Sequence, residues 1–168
     1  MRAAHYDLFV ETGSDFYRVV QLWGPTGVPV TASSVVIGDR VYVDGLPLLV
    51  ADIQTIRAND GNLWVELIMG RGLWDDPHVR VLADEKMMPA VMLDIEGAAA
   101  AFSLNGQRRE IPTSITDNTV VMLMDSAMTG QLAYSIGACS WDLFASIKDM
   151  GRQRVLEGTL TVQRGESA

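Results

Sequence analysis

Apolar and polar residues alternate most regularly near the end of the chain. The alternation runs over residues 141–148 and again over residues 152–164, with Asp149-Met150-Gly151 between the two runs. A period of two residues is typical of strands with one buried face, and glycine readily adopts the positive φ of a tight turn. The pattern therefore predicts an antiparallel hairpin.

Shorter runs of the same kind predict further strands. Each run is bounded by Gly, Pro, Asn or Asp, residues that favour turns. Asn105-Gly106 is typical of a type I′ hairpin turn, whereas the small residues at 98–101 fit either a helical turn or a tight strand. The predicted strands cover residues 6–11, 15–23, 28–31, 38–45, 48–56, 63–68, 78–82, 90–95, 110–114 and 119–124.

One short helix is expected among these strands. Asp125 and Ser126 can accept hydrogen bonds from the free backbone amides of a first turn, so residues 127–133 are predicted to be helical. The predicted class is therefore all-β with one short helix.

The pattern changes between residues 33 and 86. Short strands with tight turns follow one another there, beginning with Gly38-Asp39, then Val41 and Val43 at alternate positions. This spacing resembles a small SH3-like β-barrel. We therefore predict a discontinuous β-sandwich domain of residues 1–32 plus 87–168, interrupted by an inserted barrel-like domain of residues 33–86.

Charge and composition exclude several kinds of partner. The formal charge is −8 and the basic residues are dispersed, which argues against nucleic-acid binding because phosphate contacts need clustered Lys and Arg. No segment has the length and hydrophobicity of a membrane helix, and the N-terminus lacks the apolar core of a signal peptide. Cys139 is the single cysteine and is expected to be a small buried side chain. We expect synthesis in the cytoplasm and no membrane contact.

Candidate chemistry is sparse. The two histidines are His5 and His78, and only Asp75-Asp76 lies near the latter, which is a poor match to a metal site. The segment Gly70-Arg71-Gly72 is too short for a phosphate-binding loop. We therefore predict no catalytic residues, no metal and no cofactor, and we expect the protein not to be an enzyme.

Aromatic residues provide the candidate interface. Trp74 lies in a polar, Gly-containing stretch where a small chain can hardly bury it, so it is the leading candidate for an intersubunit anchor. Leu73 and Trp64 complete the predicted interface. A strand-rich core also explains most of the methionines as gap-filling side chains.

Both ends of the chain resemble β-sandwich modules of tailed-bacteriophage virion proteins, including baseplate upper proteins that carry receptor-binding proteins. The N-terminal likeness comprises residues 6–16 and 24–30. The C-terminal likeness comprises residues 125–132, Trp141-Asp142-Leu143 in place of the usual Tyr-Asp-Leu, and residues 154–162 as a closing strand. It covers about half of the chain, and the intervening residues support an inserted module.

The resemblance implies an Ig-like β-sandwich in a structural component of a phage virion. The leading interpretation is a tail or baseplate adaptor that attaches fibres or receptor-binding proteins. Its expected partners are other virion proteins and copies of itself, and its expected location is the virion. Two alternatives remain open at this point: a head decoration or neck protein, and a small module that binds a peptide or a carbohydrate.

Overall fold

The computed structural model describes residues 3–70 and 76–165. Regular structure in these ranges is almost entirely β-strand, with one α-helix, so the predicted all-β class is confirmed. Helix α1 spans Ser126–Gly130. The strands are β1 (Ala4–His5), β2 (Leu8–Glu11), β3 (Phe16–Gln21), β4 (Trp23–Pro25), β5 (Val30–Thr31), β6 (Arg40–Val43), β7 (Leu46–Arg57), β8 (Leu63–Met69), β9 (His78–Leu82), β10 (Lys86–Met87), β11 (Ala90–Met92), β12 (Ile95–Leu104), β13 (Gln107–Ile111), β14 (Thr113–Thr116), β15 (Thr119–Met124), β16 (Gly137–Ile147) and β17 (Gly151–Gln163).

The chain forms two compact units, a discontinuous unit and an inserted unit. Their boundaries lie at Leu22/Trp23 and Met92/Leu93, whereas the sequence placed them at 32/33 and 86/87. The difference arises because β4 pairs with β11 and β5 pairs with β10, so both short ladders belong to the inserted unit. The sequence shows these segments only as extended runs and gives no sign of their partners.

The discontinuous unit contains two sheets that share one hydrophobic core. The larger sheet has the order β1-β17-β16-β12-β13, with β2 also paired to β17, and the smaller has the order β14-β15-β3. Inward-facing side chains of both sheets meet in the core. They include Leu8, Val10, Phe102, Trp141, Leu143 and Leu160 from the larger sheet and Phe16, Val120, Met122 and Met124 from the smaller.

The predicted C-terminal hairpin is present as β16 and β17. Asp149 and Gly151 both have positive φ, at 64° and 72°, in the turn between the strands. The Asn105-Gly106 hairpin joins β12 to β13 with φ values of 52° and 78°, as a type I′ turn requires.

The N-terminal segment docks beside β17. β1 and β2 both run parallel to it, and between them the Tyr6 carbonyl accepts a 2.7 Å hydrogen bond from Trp141 Nε1. Asp7 Oδ1 accepts a 3.0 Å bond from the Thr159 amide. Gly158 lies directly below, where a Cβ would overlap the carbonyl oxygen of Tyr6. Glycine is therefore needed for this close approach of two backbones.

The structure decides one open alternative and corrects two local predictions. Residues 98–101 form a strand as part of β12, because pairing with both β13 and β16 satisfies their backbone and outweighs the helical preference of alanine. The predicted strand at 90–95 is divided between β11 and β12, and β12 continues through Gly97 with a bulge. Helix α1 begins one residue earlier than predicted and is shorter; the Asp125 side chain caps it by accepting a 2.8 Å bond from the Met128 amide.

The inserted unit is built around a half-barrel of β6, β7, β8 and β9 in that order. Val41, Val50, Val65, Leu67 and Met69 fill its core. β6 and β7 join through an Asp44-Gly45 turn in which both residues have positive φ.

None of the helices in the described residues has the length and apolar character needed to cross a membrane.

Candidate protein-binding surfaces

The predicted interface residues fall in different places. Leu73 and Trp74 lie outside the described residues, whereas Trp64 is half-buried on β8. Trp64 pairs with Ile56 on β7 and with Leu82 on β9. The alternate residues of β8 point into the core, so the three side chains form an apolar row across the outer face of the half-barrel.

A charged row adjoins the apolar one. Glu66 lies between Arg80, whose Nη2 is 3.5 Å from Glu66 Oε2, and His78, whose Nδ1 is 3.2 Å from Glu66 Oε1. The His78 ring therefore faces a carboxylate on the same sheet. In residues 3–70 and 76–165, no group of three or more His, Cys, Asp or Glu side chains is arranged to hold a metal ion.

Trp23 and Tyr42 make a compact cluster in the inserted unit. The Arg40 guanidinium lies 4.4 Å from the centre of the Trp23 ring, and Tyr42 Oη donates a 3.2 Å hydrogen bond to the Trp23 carbonyl. Burial raises the pKa of Tyr42 because the phenolate would lose hydration. The ring of Trp23 is thus already covered by a cation from its own unit.

The outer face of the larger sheet is polar. Arg108 Nη2 is 2.5 Å from Asp142 Oδ1, and Arg154 Nη1 is 3.5 Å from Glu157 Oε2. The hydrogen bond that Arg108 donates to the Asp142 carboxylate raises the pKa of Arg108. A cleft of about 390 Å³ lies beside these groups, but Asp142, Arg154 and Glu157, which line it, already form ion pairs with one another and with Arg108. This arrangement fits a role in holding the sheet together better than ligand binding.

The outer face of the smaller sheet is different, because it is apolar and exposed. Tyr17 lies directly opposite Leu123, and Val19 lies directly opposite Val121. The exposed fractions of Tyr17, Val19 and Leu123 are 55%, 49% and 46%. These four side chains, here called the β3–β15 patch, form a contiguous apolar surface at the edge of the sheet.

The backbone of β3 has an open side. Leu22 N donates to Asn118 O at 2.9 Å, which fixes the alternation of the ladder between β3 and β15. Phe16, Arg18 and Val20 therefore direct their backbone groups toward β15, while Tyr17, Val19 and Gln21 direct theirs away from it. In the part of the chain that the structure describes, no other strand pairs with this side of β3.

Arg18 partly protects this open edge. Its Nη1 donates a 2.7 Å hydrogen bond to the Tyr17 carbonyl, and its guanidinium lies 5.1 Å from the centre of the Phe16 ring. Natural proteins commonly place charged side chains on edge strands to prevent unspecific pairing. The described residues offer the outward amides and carbonyls of Val19 and Gln21 no backbone partner.

Sequence reasoning missed the β3–β15 patch. Residues 119–124 were predicted only as a strand, although their run is apolar at consecutive positions. The same observation contains the missing signal: a strand that is apolar on both faces, in a sheet with only one covered face, must expose one of them. The run Tyr17-Arg18-Val19-Val20 gives the same signal more weakly, because Arg18 interrupts its apolar residues.

No family model matches this chain, and no curated protein shows significant sequence similarity to it. The interpretation of these surfaces therefore depends on their geometry and on the resemblance of the chain ends described above.

Proposed function

We propose that this protein is a structural component of a phage virion, with a tail or baseplate adaptor as the leading form. In this role it attaches fibres or receptor-binding proteins, associates with other virion proteins and with copies of itself, and has no enzymatic activity. It is made in the host cytoplasm and incorporated into the particle.

One observation carries the proposal: the two chain ends that resemble baseplate modules meet in one sheet. Leu8 pairs with Leu160 and Val10 with Val162, although these residues stand at opposite ends of the sequence. The Trp141 side chain bonds to the backbone of Tyr6 beside this ladder. The likeness therefore lies in residues that cooperate in one packed module, which supports a common architecture more strongly than scattered turn residues do.

We also propose a finer description of the fold. The discontinuous unit is taken as an Ig-like β-sandwich, supported by its two sheets with a shared core. The inserted unit is taken as an SH3-like barrel, supported by the half-barrel order of β6, β7, β8 and β9. Insertion of one β-module into another is suited to an adaptor, because each module can present its own surface to a different partner.

The test is immunogold electron microscopy of phage particles from the host that carries this sequence, with antibodies raised against the purified chain. Labelling at the tail tip is the expected result. Labelling at the head or at the neck would replace the adaptor by a decoration or neck protein. Particles that remain unlabelled, while denatured particle proteins also fail to react, would overturn the virion assignment.

A further inference from the structure

The open edge of β3 combines three features that an incoming strand would need. The first is a free ladder: Val19 and Gln21 direct their backbone N–H and C=O groups away from β15, and the described residues offer them no partner. An edge strand with free backbone groups is a template for strand addition, in which main-chain hydrogen bonds supply affinity. Side chains of the added strand then supply specificity.

The second feature is the apolar β3–β15 patch on the same strand. Tyr17 and Val19 are two residues apart, so both side chains lie on one face of β3. An added strand places alternate side chains beside them on that face. The patch therefore selects a segment with apolar residues at two alternate positions.

The third feature is a pair of acidic side chains near the N-terminal end of β3. Asp15 precedes β3 and Glu11 ends β2, and together with Phe9 they border a cleft of about 250 Å³. Phe9 is 52% exposed. Arg18 also lines this cleft, but its guanidinium is directed at the Tyr17 carbonyl and the Phe16 ring. In the described part of the chain neither carboxylate has a cation within ion-pair distance. This end of the edge therefore favours positive charge.

From these features we infer that β3 accepts an extended segment of a partner protein that carries apolar residues at alternate positions followed by basic residues. The segment adds antiparallel to β3, which continues the antiparallel order of the smaller sheet and brings its carboxyl-terminal basic residues to Asp15 and Glu11. That the segment comes from another virion protein rests on the proposed function; its chemistry rests on the edge alone.

Charge favours a partner of different sequence over a second copy. The chain carries a formal charge of −8, so two copies repel one another over long range. The same negative charge attracts a basic segment. Arg18 must release the Tyr17 carbonyl when the segment binds, because that oxygen becomes part of the new ladder.

The experiment measures binding of a fluorescein-labelled probe peptide, Ser-Val-Thr-Val-Thr-Lys-Lys, to the full chain by fluorescence anisotropy. Its control replaces both lysines by glutamate. Val19→Pro removes an outward amide without removing a bond to β15, so the fold should persist while strand addition is blocked. Glu110→Pro is the matched control, since Glu110 also directs its amide away from its neighbour, on the edge strand β13.

We expect the lysine peptide to bind at least about tenfold more tightly than the glutamate peptide, and Val19→Pro to weaken it by about tenfold or more. Glu11→Gln with Asp15→Asn should weaken it about fivefold and reduce its salt dependence. Glu110→Pro, and Asp94→Asn with Glu96→Gln, should bind as the parent does.

A second probe keeps the test independent of protein folding. The lysine peptide N-methylated at the residues that face β3 cannot complete the ladder, so it should bind at least about tenfold more weakly. Equal binding of this probe, or equal binding of the glutamate peptide, overturns the inference. Self-association of the chain that Val19→Pro abolishes would assign the edge to a second copy and also overturn it.

Failure here and failure of the virion proposal give different results. Labelled particles without peptide binding would reject only the strand-addition site. Peptide binding with the expected variant pattern, together with particles that do not react with the antibodies, would support the strand-addition site and reject the virion proposal.

Discussion

Single residues decide how the N-terminal segment joins the sheet. Gly158 permits the close approach of Tyr6, and Trp141 and Asp7 hold that approach through side-chain hydrogen bonds. Neither bond is visible in the sequence, because both join residues that are far apart in the chain. The alternation of residues that predicted β17 does not explain why a glycine, Gly158, lies in the middle of the strand. The structure explains it, because the backbone of Tyr6 lies directly against Gly158.

Gly158→Ala should lower the free energy of unfolding by about 2 kcal/mol, because the added Cβ forces the Tyr6 backbone away from β17. Gly97→Ala is the matched control: it is also a strand glycine of this sheet, and its nearest neighbour would be the Ser146 Cβ at 3.8 Å. Urea unfolding of both variants checks the prediction. Similar midpoints for the two would mean that the N-terminal segment does not dock as described.

Tyr42 gives a pH-dependent prediction. Burial raises its pKa above the ordinary value of about 10, so the folded state holds the phenolic proton more tightly than the unfolded state. Its contribution to stability is complete below pH 10 and is lost as the pH rises through the folded pKa. Absorbance at 295 nm should show one tyrosine that titrates late and is missing in Tyr42→Phe. Late titration that persists in this variant would assign the shift to another tyrosine.

At the level of elements, the sequence pattern located most strands but, apart from the hairpins, not their partners. The C-terminal hairpin, the Asn105-Gly106 turn and β15 were predicted because their signals are local: alternation, a turn dipeptide and an apolar run. The start of β12 was misplaced and its alanines were left open between helix and strand, since the state of this segment depends on two neighbouring strands. The β3–β15 patch was missed for a related reason: exposure of a strand face depends on which layer covers it.

β15 offers a direct test of this face assignment. Leu123→Thr should change the free energy of unfolding by less than about 0.5 kcal/mol, because Leu123 is exposed. Met122→Thr should lower it by about 3 kcal/mol, because Met122 is fully buried and its replacement leaves a cavity and a buried hydroxyl. Thermal unfolding of the two variants measures the difference. The reverse order would place the apolar patch inside the core.

At the scale of the whole molecule, the insertion is the main feature. Leu93 N donates to Leu22 O at 3.2 Å, so the discontinuous unit already brings together the two points where the insertion leaves and returns. Trp23 pairs with Met92, so the ends of the inserted unit also meet. The existence of an inserted module was predictable from the change in strand spacing, but its boundaries depend on these short ladders.

Residues 23–92 expressed alone should therefore fold, because their core and their closing ladder are both internal. A chain in which a short glycine linker joins Leu22 to Leu93 should fold as well. Dispersed amide resonances in NMR spectra of each fragment are the expected result. A fragment that gives only the narrow spectrum of an unfolded chain would show that the two units depend on each other.

The proposed function requires this chain to be a stoichiometric component of a phage particle. This is tested by quantitative mass spectrometry of purified particles from the host that carries this sequence. We expect peptides of this chain at a fixed ratio to the major capsid protein, unchanged by further purification and corresponding to a small multiple of copies per particle. Particles without these peptides, or with a ratio that falls at every purification step, would contradict it.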